Sequence, residues 1–217
     1  MLPAHANPYR ASRLDRLRFH FPPGWDMDRL LARLDALGGR AAIVGRRGSG
    51  KTTLLRELAR ALGGRGLEVH LVRIGHRNDP PLPPLLAGRR PGPGDAVLVD
   101  AGEELRAAGW RRVRRATRTA GVLVVTAHRP GRLPTLIELA PTPDLLRHIL
   151  AELDPTWATA PDDLLAALLD ENGNDLHRVL LALYDLAGTA HHPSAAGREA
   201  PWSSGVSSTR PLDVPRA

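Results

Sequence analysis

The chain has no cysteine and very few rings, with aromatics making up only 4% of its 217 residues. Without cysteine there is no disulfide and no thiolate metal site. With so few rings, a core must be assembled from Leu, Val, Ile and Ala. No apolar run approaches the ~18 residues of a membrane-spanning helix. The opening segment, MLPAHANPYR, lacks an apolar signal core. Internal repeats are also missing. These absences lead to the expectation of a soluble, cytoplasmic protein.

Lysine is almost absent too. Lys and Arg total 30, but Lys51 is the single lysine, so 30 − 1 leaves 29 arginines against 23 acidic residues and a net charge of +7. A basic surface attracts polyanions. Such a bias toward Arg, alongside abundant Ala, Gly and Pro, also has the look of GC-rich coding. Charge alone therefore leaves nucleic acid as a partner open without favouring it.

Residues 1–40 read as an N-terminal arm and helix. The arm is irregular and proline-spaced; then Met27, Leu30, Leu31, Leu34 and Leu37 recur at helical spacing until Gly38-Gly39. Residues 41–142 read as an α/β core. AAIVG (41–45) is a buried strand, TTLLRELARAL (52–62) a helix, and LEVHLVRI (67–74) an alternating strand. The stretch 75–95 holds ten Gly or Pro among 21 positions and reads as loop. AVLVD (96–100) is a further buried strand, 103–120 an arginine-rich helix, GVLVVTAHR (121–129) a strand, and LPTLIELA (133–140) an edge strand. That order predicts a mostly parallel, covered sheet. Residues 143–188 read as a helical lid, with Thr142 as N-cap, Pro143 at the first helical position and a helical hairpin over 161–188. The tail, 189–217, is Pro- and Ser-rich and reads as disordered.

The lone lysine lies in GRRGSGKT. Gly45, Gly50, Lys51 and Thr52 fit G-x-x-x-x-G-K-[ST], between a predicted strand and a predicted helix. A loop that wraps a phosphate chain must turn successive backbone N–H groups inward, which needs conformations glycine tolerates; Gly48 supplies a third. The positive end of the following helix then aims at the phosphates. Candidate nucleotide-binding residues are Gly45, Arg46, Arg47, Gly48, Ser49, Gly50, Lys51, Thr52 and Thr53. The ligand expected is ATP with Mg²⁺: the Lys51 ammonium reaches the β and γ phosphates, and the Thr52 hydroxyl ligates the ion. Arginine, a wide planar fork, cannot replace a compact ammonium on a flexible stem in such a loop.

Asp100, at the end of an apolar strand, is the expected acidic partner for Mg²⁺. Glu103 is the candidate to polarise an attacking water, although position 101, directly after the aspartate, is alanine. Thr126 is polar at the end of the next strand and could touch the γ-phosphate or orient water, with His128 and Arg129 just beyond.

Taken together, GRRGSGKT, AVLVDAGEEL and GVLVVTAHR resemble the P-loop ATPases of the additional-strand class, in particular uncharacterised AAA-like and STAND-like ATPases. The resemblance covers roughly residues 40–187. It implies a P-loop NTPase fold, a three-layer α/β/α core with a mostly parallel sheet followed by a small helical lid. It also implies a further strand between the two nucleotide-site strands and a polar sensor at Thr126. Lids of that class often carry Gly-Asp-x-Arg; here NDLHR (174–178) puts His177 at the arginine's place and Arg178 one later. The expected function is Mg-dependent ATP hydrolysis coupled to a conformational change, with self-assembly or a protein partner. The alternative is a nucleotide-binding module without useful hydrolysis.

Other classes are tested by absence. A GTPase would need Asn-Lys-x-Asp, which a chain with no second lysine lacks, and no Ser-Gly-Gly-rich signature of an ABC subunit precedes Asp100. A small-molecule kinase would bring lid arginines, for which HRPGR (128–132) is the nearest stretch. The helix with Arg106, Arg111, Arg112, Arg114, Arg115 and Arg118 has three readings: a track for phosphates with Trp110 stacking on a base, an arginine finger for a neighbouring subunit, or a solvated outer face. Tyr9, Phe19 and Phe21 could pack near a base or simply clip the arm to the core. The nine histidines show no metal-ligand spacing.

Overall fold

The computed structural model describes residues 7–14, 16–74 and 90–189. Most of the Gly/Pro-rich loop (75–89) and the tail from 190 lie outside the described residues. Among those residues the fold is α/β: five strands in one all-parallel sheet, and seven α-helices.

The three apolar runs become the interior strands β1 (Arg40–Gly45), β3 (Asp95–Asp100) and β4 (Val122–Ala127). β2 (Glu68–Arg73) and β5 (Thr135–Leu139) form the edges, in the order β2-β3-β4-β1-β5. Side chains alternate across a strand, so each interior strand feeds two cores. Ala41, Ile43, Ala96, Leu98, Val122 and Val124 meet leucines of α2 (Met27–Ala36) and α3 (Lys51–Gly64) on one face. Ala42, Val44, Val97, Val99, Leu123 and Val125 face the other way, toward Val113 of α4 (Ala107–Ala116). Burial on both faces is why these strands read as unbroken apolar runs.

The arginine-rich helix is shorter than its sequence suggests. Instead of 103–120 it spans Ala107–Ala116, preceded by a 3₁₀ turn at Gly102–Glu104. Ala101 breaks the pattern with a left-handed backbone (φ 58°, ψ 39°) that turns the chain sharply off the end of β3. At the other end the Thr117 hydroxyl donates to the Val113 carbonyl at 2.8 Å, inside the last turn.

A separate apolar cluster lies among α5 (Pro143–Leu153), a 3₁₀ turn at Pro155–Thr159, α6 (Asp162–Glu171) and α7 (Leu176–Thr189). Thr142 caps α5 by accepting from Leu145 N, and Pro143 opens it. The arm belongs to both clusters. Short α1 (Ala11–Leu14) falls within the stretch read as irregular. Beside it Tyr9 is buried among these helices, where Trp157 Nε1 donates to its hydroxyl at 2.8 Å. Asn7 Nδ2 donates to the Tyr184 carbonyl at 2.9 Å, and Arg13 Nη1 to that of Leu153 at 3.1 Å. A few residues on, Phe19 and Phe21 meet edge to face, 5.0 Å apart, and pack on the α2–α3 core. Tyr9 is therefore a clip.

Burial is the main cause that pushes the Tyr9 phenol up to about 12, with Asp154 adding to it and the Trp157 hydrogen bond opposing it. The folded state favours the neutral phenol, so its contribution is whole below the ordinary value near 10 and fades as pH climbs toward 12. Tyr9→Phe keeps the ring and removes the hydroxyl that accepts from Trp157 Nε1, which is expected to lower stability by ~1 kcal/mol. Urea unfolding at neutral and alkaline pH checks both: the variant should start lower and lack the component of the decline between about pH 10 and 12.

Candidate functional site

Parallel pairing brings the carboxyl ends of β1, β3 and β4 to one edge of the sheet, with Val44 opposite Ala127 and Val99 opposite Val125. The glycine-rich loop leaves β1 at this edge and enters α3 directly. Gly48 and Gly50 sit at φ 72° and 87°, the left-handed region where a β-carbon is penalised. Gly50 is the N-cap of α3, so Lys51, Thr52 and Thr53 form its first turn.

Lys51 is buried, 8% exposed, and its Nζ donates to the carbonyls of Gly45 at 2.7 Å and Arg46 at 2.8 Å. Desolvation holds its pKa below the ordinary value; Glu103, Asp100 and Asp175 act in the opposite direction. The charges of three carboxylates thus act on one ammonium. Thr52 Oγ1 lies 3.1 Å from both carboxylate oxygens of Asp100. Thr126, fully buried, donates to Asp100 Oδ1 at 3.2 Å and accepts from Ala101 N at 2.8 Å. Its hydroxyl proton goes to Asp100, which makes it a positioning residue for that carboxylate. Arg46 and Arg47 are exposed, while the buried Ser49 hydroxyl has no hydrogen-bond partner among the described residues.

Glu103 projects from the 3₁₀ turn. Its Oε1 pairs with His128 Nε2 at 3.0 Å, and Oε2 is buried without a hydrogen-bond partner among the described residues. Arg132 braces the turn, donating to the carbonyls of Gly102 (2.9 Å) and Leu105 (2.5 Å), and stacks over Trp110 with 5.5 Å to the ring centre. In HRPGR, then, Arg132 is committed to the turn and Arg129 is exposed. A cavity of about 430 Å³ beside α3 is lined by Arg18, Phe19, Phe21, Met27, Glu57, Arg60 and Ala61. Phe19 connects it to the loop, its ring 3.4 Å from where a β-carbon on Gly50 would sit.

Sequence reasoning passed over Asp175. It is 6% exposed, and its Oδ1 accepts from His177 N (2.9 Å) and Arg178 N (3.2 Å), capping α7. The same oxygen lies 1.9 Å from the place a β-carbon on Gly48 would occupy. One carboxylate thus caps a C-terminal helix and touches the glycine loop. Its local signal is the Gly173-Asn174-Asp175 stretch ahead of a helix; the following His177 and Arg178 are both exposed at the helix start. Away from this edge the fold brings His70 to 2.9 Å from Asp95 and 3.8 Å from Glu68, a grouping that the histidine spacing did not reveal.

No protein-family model matches this chain, and no curated protein matches it. The geometry of the edge is therefore the basis for a functional reading.

Gly48→Ala should destabilise by ~2 kcal/mol or more, from the left-handed backbone and from displacing the Asp175 cap. In an Asp175→Ala background the same change should cost only about 1 kcal/mol, leaving a coupling of ~1 kcal/mol in a double-mutant cycle by urea unfolding. Strict additivity would mean that the two residues do not touch.

Proposed function

We propose that the chain binds ATP at the β1–α3 loop and hydrolyses it with Mg²⁺, coupling nucleotide state to the C-terminal helices. The observation that carries this reading is the Lys51–Thr52–Asp100 constellation: a buried ammonium on a glycine loop at a helix N-terminus, and a hydroxyl on a carboxylate from a non-adjacent strand. The strand order supports the P-loop NTPase reading of the additional-strand class, since β4 stands between β1 and β3.

The donor set fits Mg²⁺. The 3.1 Å between Thr52 Oγ1 and each Asp100 oxygen is close to the ~3 Å edge of an octahedron with metal–oxygen bonds of ~2.1 Å. Thr52 and Asp100 would hold the ion, which neutralises phosphate charge when bound. Backbone N–H groups of the loop and α3 orient the phosphates, and Lys51 turns its ammonium from loop carbonyls to them. Glu103 is the carboxylate available to accept a proton from the attacking water. Thr126 holds Asp100 in place. Asp175, touching Gly48, gives the C-terminal helices a direct contact with the loop that the phosphates would occupy.

A second reading, nucleotide binding without useful hydrolysis, is favoured by one observation: Glu103 is already paired with His128, and position 101 is alanine. A small-molecule kinase is less well supported, because Arg132 is committed to the 3₁₀ turn.

ATP binding and turnover by the purified chain, over a protein concentration series, test these readings. Wild type should bind and turn over ATP, and Lys51→Ala should do neither. Glu103→Gln should keep its ATP affinity within about threefold and lose ~10²-fold or more in turnover. Turnover that rises more than linearly with concentration would identify self-assembly. Binding without turnover above the Lys51→Ala level would sink the unaided hydrolase and leave the binding module; no binding would sink both.

A further inference from the structure

Helix α4 carries a charge pattern that the nucleotide reading does not use. Arg106, Arg111, Arg112, Arg114, Arg115 and Arg118 are all exposed. None pairs with a carboxylate among the described residues, and no acidic residue occurs anywhere from 105 to 133. Helical spacing makes 111 a neighbour of 114 and 115, and 118 follows in the turn just past the helix end, so the like charges repel and weaken the helix. An arginine-biased composition explains why the base is Arg and not Lys. It does not explain why acids are missing here: every other described helix of ten residues or more carries at least one. A self-repelling face of this kind is relieved by a polyanion.

We propose that the exposed face of α4 docks on the phosphate backbone of double-stranded DNA. Single strands are held largely by stacking on free aromatic rings, and the one ring on this helix is not free. Trp110 is half-buried against the sheet, with the Arg132 guanidinium over its face. An A-form duplex buries its major groove out of reach, whereas that of B-form DNA, ~12 Å wide, admits a helix between two rows of phosphate. At 1.5 Å per residue, Arg111 and Arg115 stand ~6 Å apart along the axis, the span of about two phosphates of one strand. Arg114 lies between them, and Arg118 follows in the turn just past the helix end. The affinity is electrostatic, and the site is separate from the glycine loop.

The test is fluorescence anisotropy of a labelled 20-base-pair duplex of mixed sequence with the full chain, at 50 and 200 mM NaCl. With four phosphate contacts, and a log–log slope of about −0.9 per contact, wild-type affinity should fall about 10²-fold between these salts. A variant with Arg111→Gln, Arg114→Gln, Arg115→Gln and Arg118→Gln should bind at least ~30-fold more weakly at 50 mM and show a nearly flat salt dependence. A control with the same charge change on other exposed sites, Arg16→Gln, Arg33→Gln, Arg56→Gln and Arg73→Gln, should stay close to wild type. Thermal melting by circular dichroism verifies that both variants fold. Equal losses in the two variants would reduce the effect to net charge and overturn the proposal. So would undetectable duplex binding at 50 mM. Tighter binding of single-stranded DNA or duplex RNA, or displacement of the duplex by poly-glutamate at equal charge, would likewise overturn it in favour of those partners.

Discussion

The carboxylate of Asp100 is 7% exposed, and it is tolerated at the end of β3 because donors from three directions reach it. The Thr52 hydroxyl comes from the first turn of α3, the Thr126 hydroxyl from the end of β4, and the Ala101 amide from the chain itself. A buried polar group without such partners would be strongly unfavourable. Each donor is in reach only if β1, β3 and β4 run parallel and end level with one another. The sheet's register and the site are therefore one constraint.

Lys51 shows the same economy from the opposite charge. Burial disfavours the ammonium, two backbone carbonyls and three nearby carboxylates favour it, and the loop around it leaves little room. A compact head with three donors suits that space, whereas a planar guanidinium does not. This gives a physical reason for one lysine among 29 arginines. Asp175 extends the network to the C-terminal helices through a contact that only glycine at position 48 permits. In the proposed ATPase, phosphates arriving in the loop would meet this carboxylate, and nucleotide binding would then be linked to the position of α7 by electrostatics as well as by packing.

The arm completes the linkage from the other side. Tyr9 and Asn7 are fixed to the C-terminal helices, while Phe19 and Phe21 lie on the sheet core beside the glycine loop. His20, between the two rings, places its Nε2 2.9 Å from a carboxylate oxygen of Glu152 of α5. The arm thus runs from the C-terminal helices to the cavity along α3. The chain has eight aromatic residues, and four of them, Tyr9, Phe19, Phe21 and Trp25, are placed in this arm.

The apolar runs 41–45, 96–100 and 121–125, together with the loops between them, determined a covered parallel sheet, because strands buried on both faces have no polar alternation to hide. Lys51, Thr52 and Asp100 were legible as candidates for one site because the glycine spacing and the strand-end aspartate are local signals. Tertiary structure alone decided what lies beside them. It gave Thr126 to Asp100, Glu103 to His128 and Arg132 to the 3₁₀ turn, since each pairing depends on strands or turns distant in sequence meeting at one edge. It also shortened the arginine-rich helix, because the left-handed Ala101 starts a turn that periodicity does not register. Asp175 is the clearest case. Locally it is a helix cap like many others, and only the packing of α7 against the glycine loop, 127 residues earlier (175 − 48), makes it part of the site.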